Sequence, residues 1–79
     1  MVLPDRTRVD CLNKTYAIEI DFAKKWAEGI GQALYYAKRT GKKPAVALIV
    51  DLDSDIRYIK RLETVSRFYG IRIFLIEKE

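Results

Sequence analysis

The chain contains no histidine and a single cysteine, Cys11. Without histidine it cannot build a Ser-His or Cys-His nucleophile or a His-ligated metal centre. One cysteine allows neither an internal disulfide nor a zinc-thiolate site, so we expect a reducing, cytoplasmic setting. Carboxylate chemistry with a hard metal ion, lysine chemistry and the absence of catalysis all remain open.

Long apolar runs are missing as well. No stretch approaches the roughly 20 apolar residues of a membrane span, and the N-terminus lacks the apolar segment of a signal peptide, so we expect no membrane partner. The 79 residues are 49% hydrophobic and 33% charged, which indicates a single folded domain over residues 1–79. A core of this size barely offsets chain entropy, so we expect a homodimer. The net charge of +4 favours a polyanionic partner.

Hydrophobic periodicity predicts the element order β-β-α-β-α-β. The continuous apolar run of the third strand is typical of a buried parallel strand. Right-handed crossovers through the two helices then place all four strands in one mixed sheet of the α/β class. The predicted strands are Thr7–Leu12, Tyr16–Asp21, Ala45–Val50 and Ile71–Ile76, and the predicted helices are Phe22–Arg39 and Asp55–Tyr69.

The opening hairpin brings two acids together. Pairing Cys11 with Ile18 gives the hairpin one continuous apolar face, and the same register sets Asp10 opposite Glu19 on the other face. Two like charges in opposed positions destabilise a bare hairpin, and a divalent cation would offset the repulsion. The alternative is a pair of solvent-facing acids neutralised by neighbouring cations. The candidate neutralising residues are Arg8 and Lys14.

The first predicted helix has a broad apolar side that we expect to form the core. Lys25, Gln32 and Tyr36 fall along the border of that side, and Lys24 points further toward solvent. Asp21 precedes the helix and is expected to cap it, with a contribution to the acid pair of the hairpin as the alternative. The expected core residues are Phe22, Ala23, Trp26, Ala27, Ile30, Ala33, Leu34 and Ala37.

Asp10 in RVDCL, Glu19 in AIEID and the Gln32-x-x-x-Tyr36 spacing in GQALYY resemble the PD-(D/E)XK nuclease superfamily. That superfamily includes restriction endonucleases, archaeal Holliday-junction resolvases and RecB-type nuclease domains. Its hairpin brings one acid, the next strand an acid-x-Lys motif, and the following helix of RecB-like members Gln-x-x-x-Tyr. The resemblance covers about residues 8–50 and implies a restriction-endonuclease-like fold.

Two departures from the family pattern stand out. Asp21 occupies the position of the motif lysine, and Lys25 on the following helix is the expected replacement, with Lys24 as second choice. The family core normally opens with a further helix and strand. This sequence is expected to form a core that lacks them, with a second copy supplying the missing cover.

The resemblance implies Mg²⁺-dependent cleavage of DNA by a homodimer, with Mn²⁺ as a substitute. Asp10, Glu19 and the carbonyl of Ile20 would hold the metal, and Lys25 would act on the attacking water. Gln32, Tyr36 and Lys24 would bind the substrate backbone. Gln32 and Tyr36 could instead brace Glu19 or be ordinary border residues. The second hypothesis is a catalytically inactive, dimeric nucleic-acid-binding or assembly module of the same fold.

Other polar groups have simpler interpretations. Asp51, Asp53 and Asp55 alternate as in a calcium loop, but Ile56 and Leu62 stand where such a loop needs glycine and glutamate. We interpret the three acids as turn and cap residues, with Asp53 or Ser54 capping the second helix. Cys11 is expected to be a small buried hydrophobic residue. Basic residues at the end of the first helix and just beyond it suit either phosphate binding or the helix C-terminus, namely Lys38, Arg39, Lys42 and Lys43.

Overall fold

A computed structural model describes residue 3 and residues 10–78 of the chain. Over these residues it confirms the α/β class and the order β-β-α-β-α-β, with a short 3-10 turn before the first helix. The strands are β1 (Cys11–Leu12), β2 (Tyr16–Phe22), β3 (Lys43–Val50) and β4 (Arg72–Glu77). The helices are α1 (Trp26–Thr40) and α2 (Ile56–Tyr69), and the 3-10 turn is Ala23–Lys25.

The strands form one mixed sheet in the order β1-β2-β3-β4. β1 pairs antiparallel with β2, and Cys11 lies opposite Ile18, which confirms the predicted hairpin register. β2, β3 and β4 are parallel. The side chain of Asn13 closes the hairpin by accepting hydrogen bonds from the amides of Thr15 and Tyr16, at 2.8 and 2.7 Å. The remainder of the predicted first strand, from Thr7 to Val9, lies outside the described residues.

Both helices lie on the same face of the sheet. Each connects neighbouring parallel strands in the same direction, and right-handed crossovers then fall on one side. The main core lies between that face and the helices. Its buried members are Ala23, Ile30, Ala33, Val46, Leu48, Val50, Ile59, Leu62 and Ile71.

The opposite face of the sheet is not covered by either helix, and this corrects two expectations. Phe22, expected in the core, is 55% exposed because it is the last residue of β2 and points away from the helices. Cys11, expected to be buried, is exposed on the same side. The period-two pattern therefore separated the two faces correctly, but the helices cover only one of them.

The first helix begins later than predicted, which changes the roles of several residues. Asp21 belongs to β2, and Lys25 occupies the N-cap position of α1, so the expected cap by Asp21 is wrong. Ala27, expected in the core, is exposed, whereas Tyr36, expected at the border, is buried. α2 is preceded by Asp55 and not by the predicted caps.

The predicted helix stops are confirmed. Gly41 and Gly70 follow α1 and α2 with φ angles of 70° and 66°, a conformation that glycine adopts without steric cost. Across the described residues, neither helix has the length and apolar character needed to cross a membrane.

Candidate functional site

Asp10 and Glu19 come together at the start of the hairpin. Glu19 lies on the helix-covered face of β2 and is only 5% exposed. Asp10 immediately precedes β1, and its Oδ2 accepts a hydrogen bond of 3.0 Å from the amide of Ile20. The carboxyl groups of Asp10 and Glu19 also share a hydrogen bond. The structure thus brings the two acids to one spot, as the predicted register requires.

The amide bond to Asp10 also orients the backbone of Ile20. The N–H and C=O of one strand residue point toward the same neighbouring strand. Because the Ile20 amide points at Asp10, the Ile20 carbonyl oxygen lies on the same side of β2, toward the hairpin acid. Three oxygen-bearing groups, two carboxyls and one carbonyl, therefore border the same side of β2.

Glu19 is held in its neutral form. Burial, and then the hydrogen bond to Asp10 and the charges of Asp10 and Asp21, together raise its pKa from 4.5 to about 8. Among the described residues, its Oε2 is buried and has no hydrogen-bond partner. A buried carboxyl oxygen without a partner costs free energy, so this atom is suited to bind a proton donor or a cation.

Asp21 is a third acid at this site, which was the less favoured of the two roles expected for it. It lies two residues after Glu19 on the same face of β2, and its Oδ2 is also buried without a partner in the described part of the chain. Burial raises its pKa, as do Asp10 and Glu28, whereas Lys25 lowers it. The period of two along a strand is the signal that could have placed Asp21 beside Glu19.

Gly29 allows α1 to approach β2 closely at this acid. A Cβ atom at position 29 would lie 3.1 Å from Asp21 Oδ2 and 3.5 Å from a Val46 methyl carbon. A larger side chain here would therefore press on the Asp21 carboxyl group.

The small number of carboxylates at this site suits magnesium, which keeps water ligands, better than a metal ion whose ligands all come from the protein. No group of three or more Cys, Asp or Glu side chains in the described residues is arranged to hold a metal ion. Mg²⁺ is commonly bound through one or two carboxylates and keeps several waters or substrate oxygens. Asp10 and Glu19 supply that number of carboxylates, and the unpartnered Glu19 oxygen is the observation that makes a cation fit.

One of the two candidate lysines stands beside the acids. Lys25 ends the 3-10 turn, and its charge reaches the carboxyl group of Asp21. Lys24 and Lys25 also border a depression of about 270 Å³ at the C-terminal ends of the parallel strands. The lining residues are Phe22, Lys24, Lys25, Asp55 and Lys78.

The two remaining predicted site residues lie on α1 and differ in how far their side chains are buried. Gln32 is exposed. Tyr36 is only 7% exposed and packs with Leu3 and Ala17 in a second small core cluster. Gln32 is therefore accessible to a substrate. Most of the Tyr36 side chain instead packs against β2 at Ala17.

Comparison with known proteins identifies no relative of this chain. No family model matches the chain, and neither the curated proteins nor the solved structures contain a significant match.

Proposed function

We propose that the protein is a metal-dependent nuclease of the PD-(D/E)XK type that hydrolyses phosphodiester bonds in DNA as a homodimer. The observation that carries the proposal is the buried Glu19 carboxyl group, paired with Asp10 and left with one oxygen that has no partner among the residues the structure describes. The element order is compatible with a restriction-endonuclease-like core without its usual N-terminal helix and strand.

Asp10, Glu19 and the Ile20 carbonyl are the ligands for Mg²⁺, or for Mn²⁺ in its place. When bound, the metal supplies polarisation of the phosphate and a lower pKa for the attacking water. Glu19 must lose its proton for the metal to bind, so binding releases a proton near neutral pH. Removing water from Glu19 also strengthens its attraction to the metal, because the local dielectric constant is low.

Lysine side chains supply the positive charge that a phosphoryl transition state needs. Lys25 orients the attacking water or neutralises the developing charge on the phosphate. Lys24 and Lys78 line the adjacent depression and would hold the flanking phosphates. Gln32 contacts the backbone of the substrate, and Tyr36 keeps β2 in position through Ala17.

The second candidate is a non-catalytic, dimeric nucleic-acid-binding or assembly module of the same fold. Asp21 favours it, since an acid stands on β2 where the family pattern has its lysine. A third acid raises the negative charge around the metal position without adding the ammonium group that assists the attacking water.

The proposal is tested by cleavage of plasmid DNA in Mg²⁺ or Mn²⁺ with Asp10→Ala, Glu19→Ala and the control Asp53→Ala. Loss of a metal-binding carboxylate should lower the cleavage rate by at least about 10³-fold, while Asp53→Ala should cut at the wild-type rate. Far-UV circular dichroism checks that each variant is folded. Wild-type cleavage by Glu19→Ala would remove the proposed site.

The alternative predicts a different pair of results for the wild-type protein. It should retain DNA at low salt, and calorimetry should detect no Mn²⁺ binding. Heat of Mn²⁺ binding that disappears in Glu19→Ala would instead support the nuclease.

A further inference from the structure

The uncovered side of the sheet is a continuous apolar surface, which we call the open face. Its centre carries no charged side chain among the described residues, because the inward and outward positions alternate along β2, β3 and β4. Four of its side chains, Ile20, Phe22, Phe74 and Ile76, are 37–55% exposed. The open face consists of Cys11, Tyr16, Ile18, Ile20, Phe22, Ala45, Ala47, Ile49, Phe74 and Ile76.

Parallel strands are rarely left bare on one side. β2, β3 and β4 are parallel, and sheets of this kind occur almost only with both faces covered. Ala45 and Ala47 at the middle of the open face are already buried by their larger neighbours on β2 and β4. The strand composition is therefore that of a sheet with a second layer of protein above it.

We propose that the open face packs against the open face of a second copy of the chain, giving two sheets inside and the helices outside. This inference identifies the interface of the homodimer proposed above. It depends on the proposed dimer and does not depend on the metal chemistry. Strands about 4.8 Å apart with about 3.3 Å per residue make the face roughly 19 by 25 Å. Two such faces bury on the order of 1,000 Å², the lower limit for a specific interface.

The aromatic residues of the open face favour protein over nucleic acid as the occupant. Single-stranded nucleic acids bind such sheets by stacking bases on exposed rings. Here Arg72 lies over the Phe74 ring at 5.2 Å and Lys78 over the Phe22 ring at 5.3 Å. Tyr16 meets Phe74 edge-on, with ring centroids 6.2 Å apart. The ring faces thus already have partners.

The rest of the open face is aliphatic and suits an identical surface. Its central positions are isoleucine and alanine, which offer a base nothing to stack on or to hydrogen-bond. An uncharged centre meets its own copy without burying like charges, as a twofold interface requires. The charged residues Lys43, Arg72 and Lys78 lie at the strand ends, from which Arg72 and Lys78 reach over the rings of Phe74 and Phe22.

The test is the molecular mass in solution of the wild type, Ile76→Glu and the control Phe68→Glu, by sedimentation equilibrium over a concentration series. Phe68 is 82% exposed on α2, so its change alters net charge equally without touching the open face. The wild type and Phe68→Glu should have twice the chain mass of 9.2 kDa. A charge buried in the interface should weaken dimerisation of Ile76→Glu at least about 100-fold.

Cys11 gives a second readout that needs no variant. It is the only cysteine of the sequence and is exposed on the open face, so a thiol reagent reports whether this face is covered. The labelling rate should fall as protein concentration rises through the dimerisation range. A rate independent of concentration would overturn the proposal.

Other outcomes would also overturn it. A monomeric wild type at about 100 μM, or an Ile76→Glu variant that dimerises as tightly as the wild type, would exclude this interface. If the wild type were a monomer that binds single-stranded DNA, and if Ile76→Glu but not Phe68→Glu lost that binding, the open face would be a nucleic-acid-binding surface. Asp10→Ala and Glu19→Ala should remain dimers, so failure of the cleavage proposal and of this one are distinguishable.

Discussion

The molecule holds two groups of three acids that look alike in the sequence and differ in their surroundings. The hairpin acids are Asp10, Glu19 and Asp21, and the turn acids are Asp51, Asp53 and Asp55. The hairpin acids are gathered from positions up to eleven residues apart by strand pairing. The turn acids are neighbours in the chain, and their arrangement needs no tertiary structure.

Two of the three turn acids accept hydrogen bonds from the backbone of their own turn. Asp51 Oδ1 accepts a hydrogen bond of 2.9 Å from the Asp53 amide, and Asp55 Oδ2 accepts one of 2.9 Å from the Asp51 amide. These two bonds confirm the interpretation of Asp51 and Asp55 as turn residues, whereas no side-chain hydrogen bond among the described residues caps α2. Backbone bonding of this kind is what short acidic side chains commonly do in turns.

The hairpin acids have the opposite character. The Oε2 of Glu19 and the Oδ2 of Asp21 are buried without partners in the described part of the chain, and burial raises the pKa of both groups. The comparison teaches that acid spacing alone does not indicate a metal site. What separates the two groups is buried carboxyl oxygen that the chain itself leaves unbonded.

The largest difference between the hairpin acids and the turn acids should appear in how the free energy of unfolding depends on pH in the absence of metal. The pKa of Glu19 is about 8 in the folded protein against an ordinary 4.5, so the folded protein holds this proton more tightly. Its contribution to stability is complete below pH 4.5 and is lost as pH rises toward 8. The loss should be on the order of 3 kcal/mol, measured by urea unfolding in EDTA followed by Trp26 fluorescence.

Glu19→Gln sharpens this test because glutamine keeps the size of the neutral acid and cannot ionise. The variant should be more stable than the wild type at pH 8 and nearly equal to it at pH 4.5. Asp53→Asn, measured at the same protein concentration, should leave the wild-type slope unchanged. Equal slopes for wild type and Glu19→Gln would show that Glu19 is not held neutral.

The next largest effect should come from metal binding. A bound metal ion should restore part of the stability that the protein loses as pH rises toward 8. A ligand that binds only the folded state adds about 2.7 kcal/mol at a concentration of 100 times its Kd. Because Glu19 must be deprotonated to bind, Mn²⁺ should raise the unfolding midpoint of the wild type more at pH 8 than at pH 6. Glu19→Gln should show no such rise. A rise of equal size in Glu19→Gln would place the metal elsewhere.

Much of the fold and the meeting of Asp10 with Glu19 could be predicted from the sequence. A one-residue slip of the hairpin would exchange its two faces, so the apolar alternation determines the register. The continuous apolar run over residues 45–50 indicated a buried parallel strand, and the crossover rule then determined the order of the sheet. These features depend on periodicity, which short segments carry by themselves.

The misplaced residues share a different cause. Phe22 was assigned to the first helix and Asp21 was expected to cap that helix, but β2 extends through both residues, so Phe22 lies on the open face and Asp21 lies on the face of Glu19. Cys11 was expected to be buried because its face is apolar, yet a strand pattern does not say which of the two faces the helices cover. Tyr36 reached the core because α1 packs through Ala33 and Ala37 at that end.

The smallest effect concerns the turn acids. Asp55→Ala removes the 2.9 Å hydrogen bond to the Asp51 amide in the turn before α2 and should cost about 1 kcal/mol of unfolding free energy, as loss of an intramolecular hydrogen bond typically does. Asp53→Ala is the matched control, since Asp53 joins the turn through its amide and not its carboxylate, and it should change stability by less than about 0.5 kcal/mol. Both variants should keep the wild-type response to Mn²⁺ and to pH in urea unfolding. If Asp55→Ala abolished the metal response, the turn would belong to the site, and the contrast between bonded and unbonded acids would no longer separate the two groups.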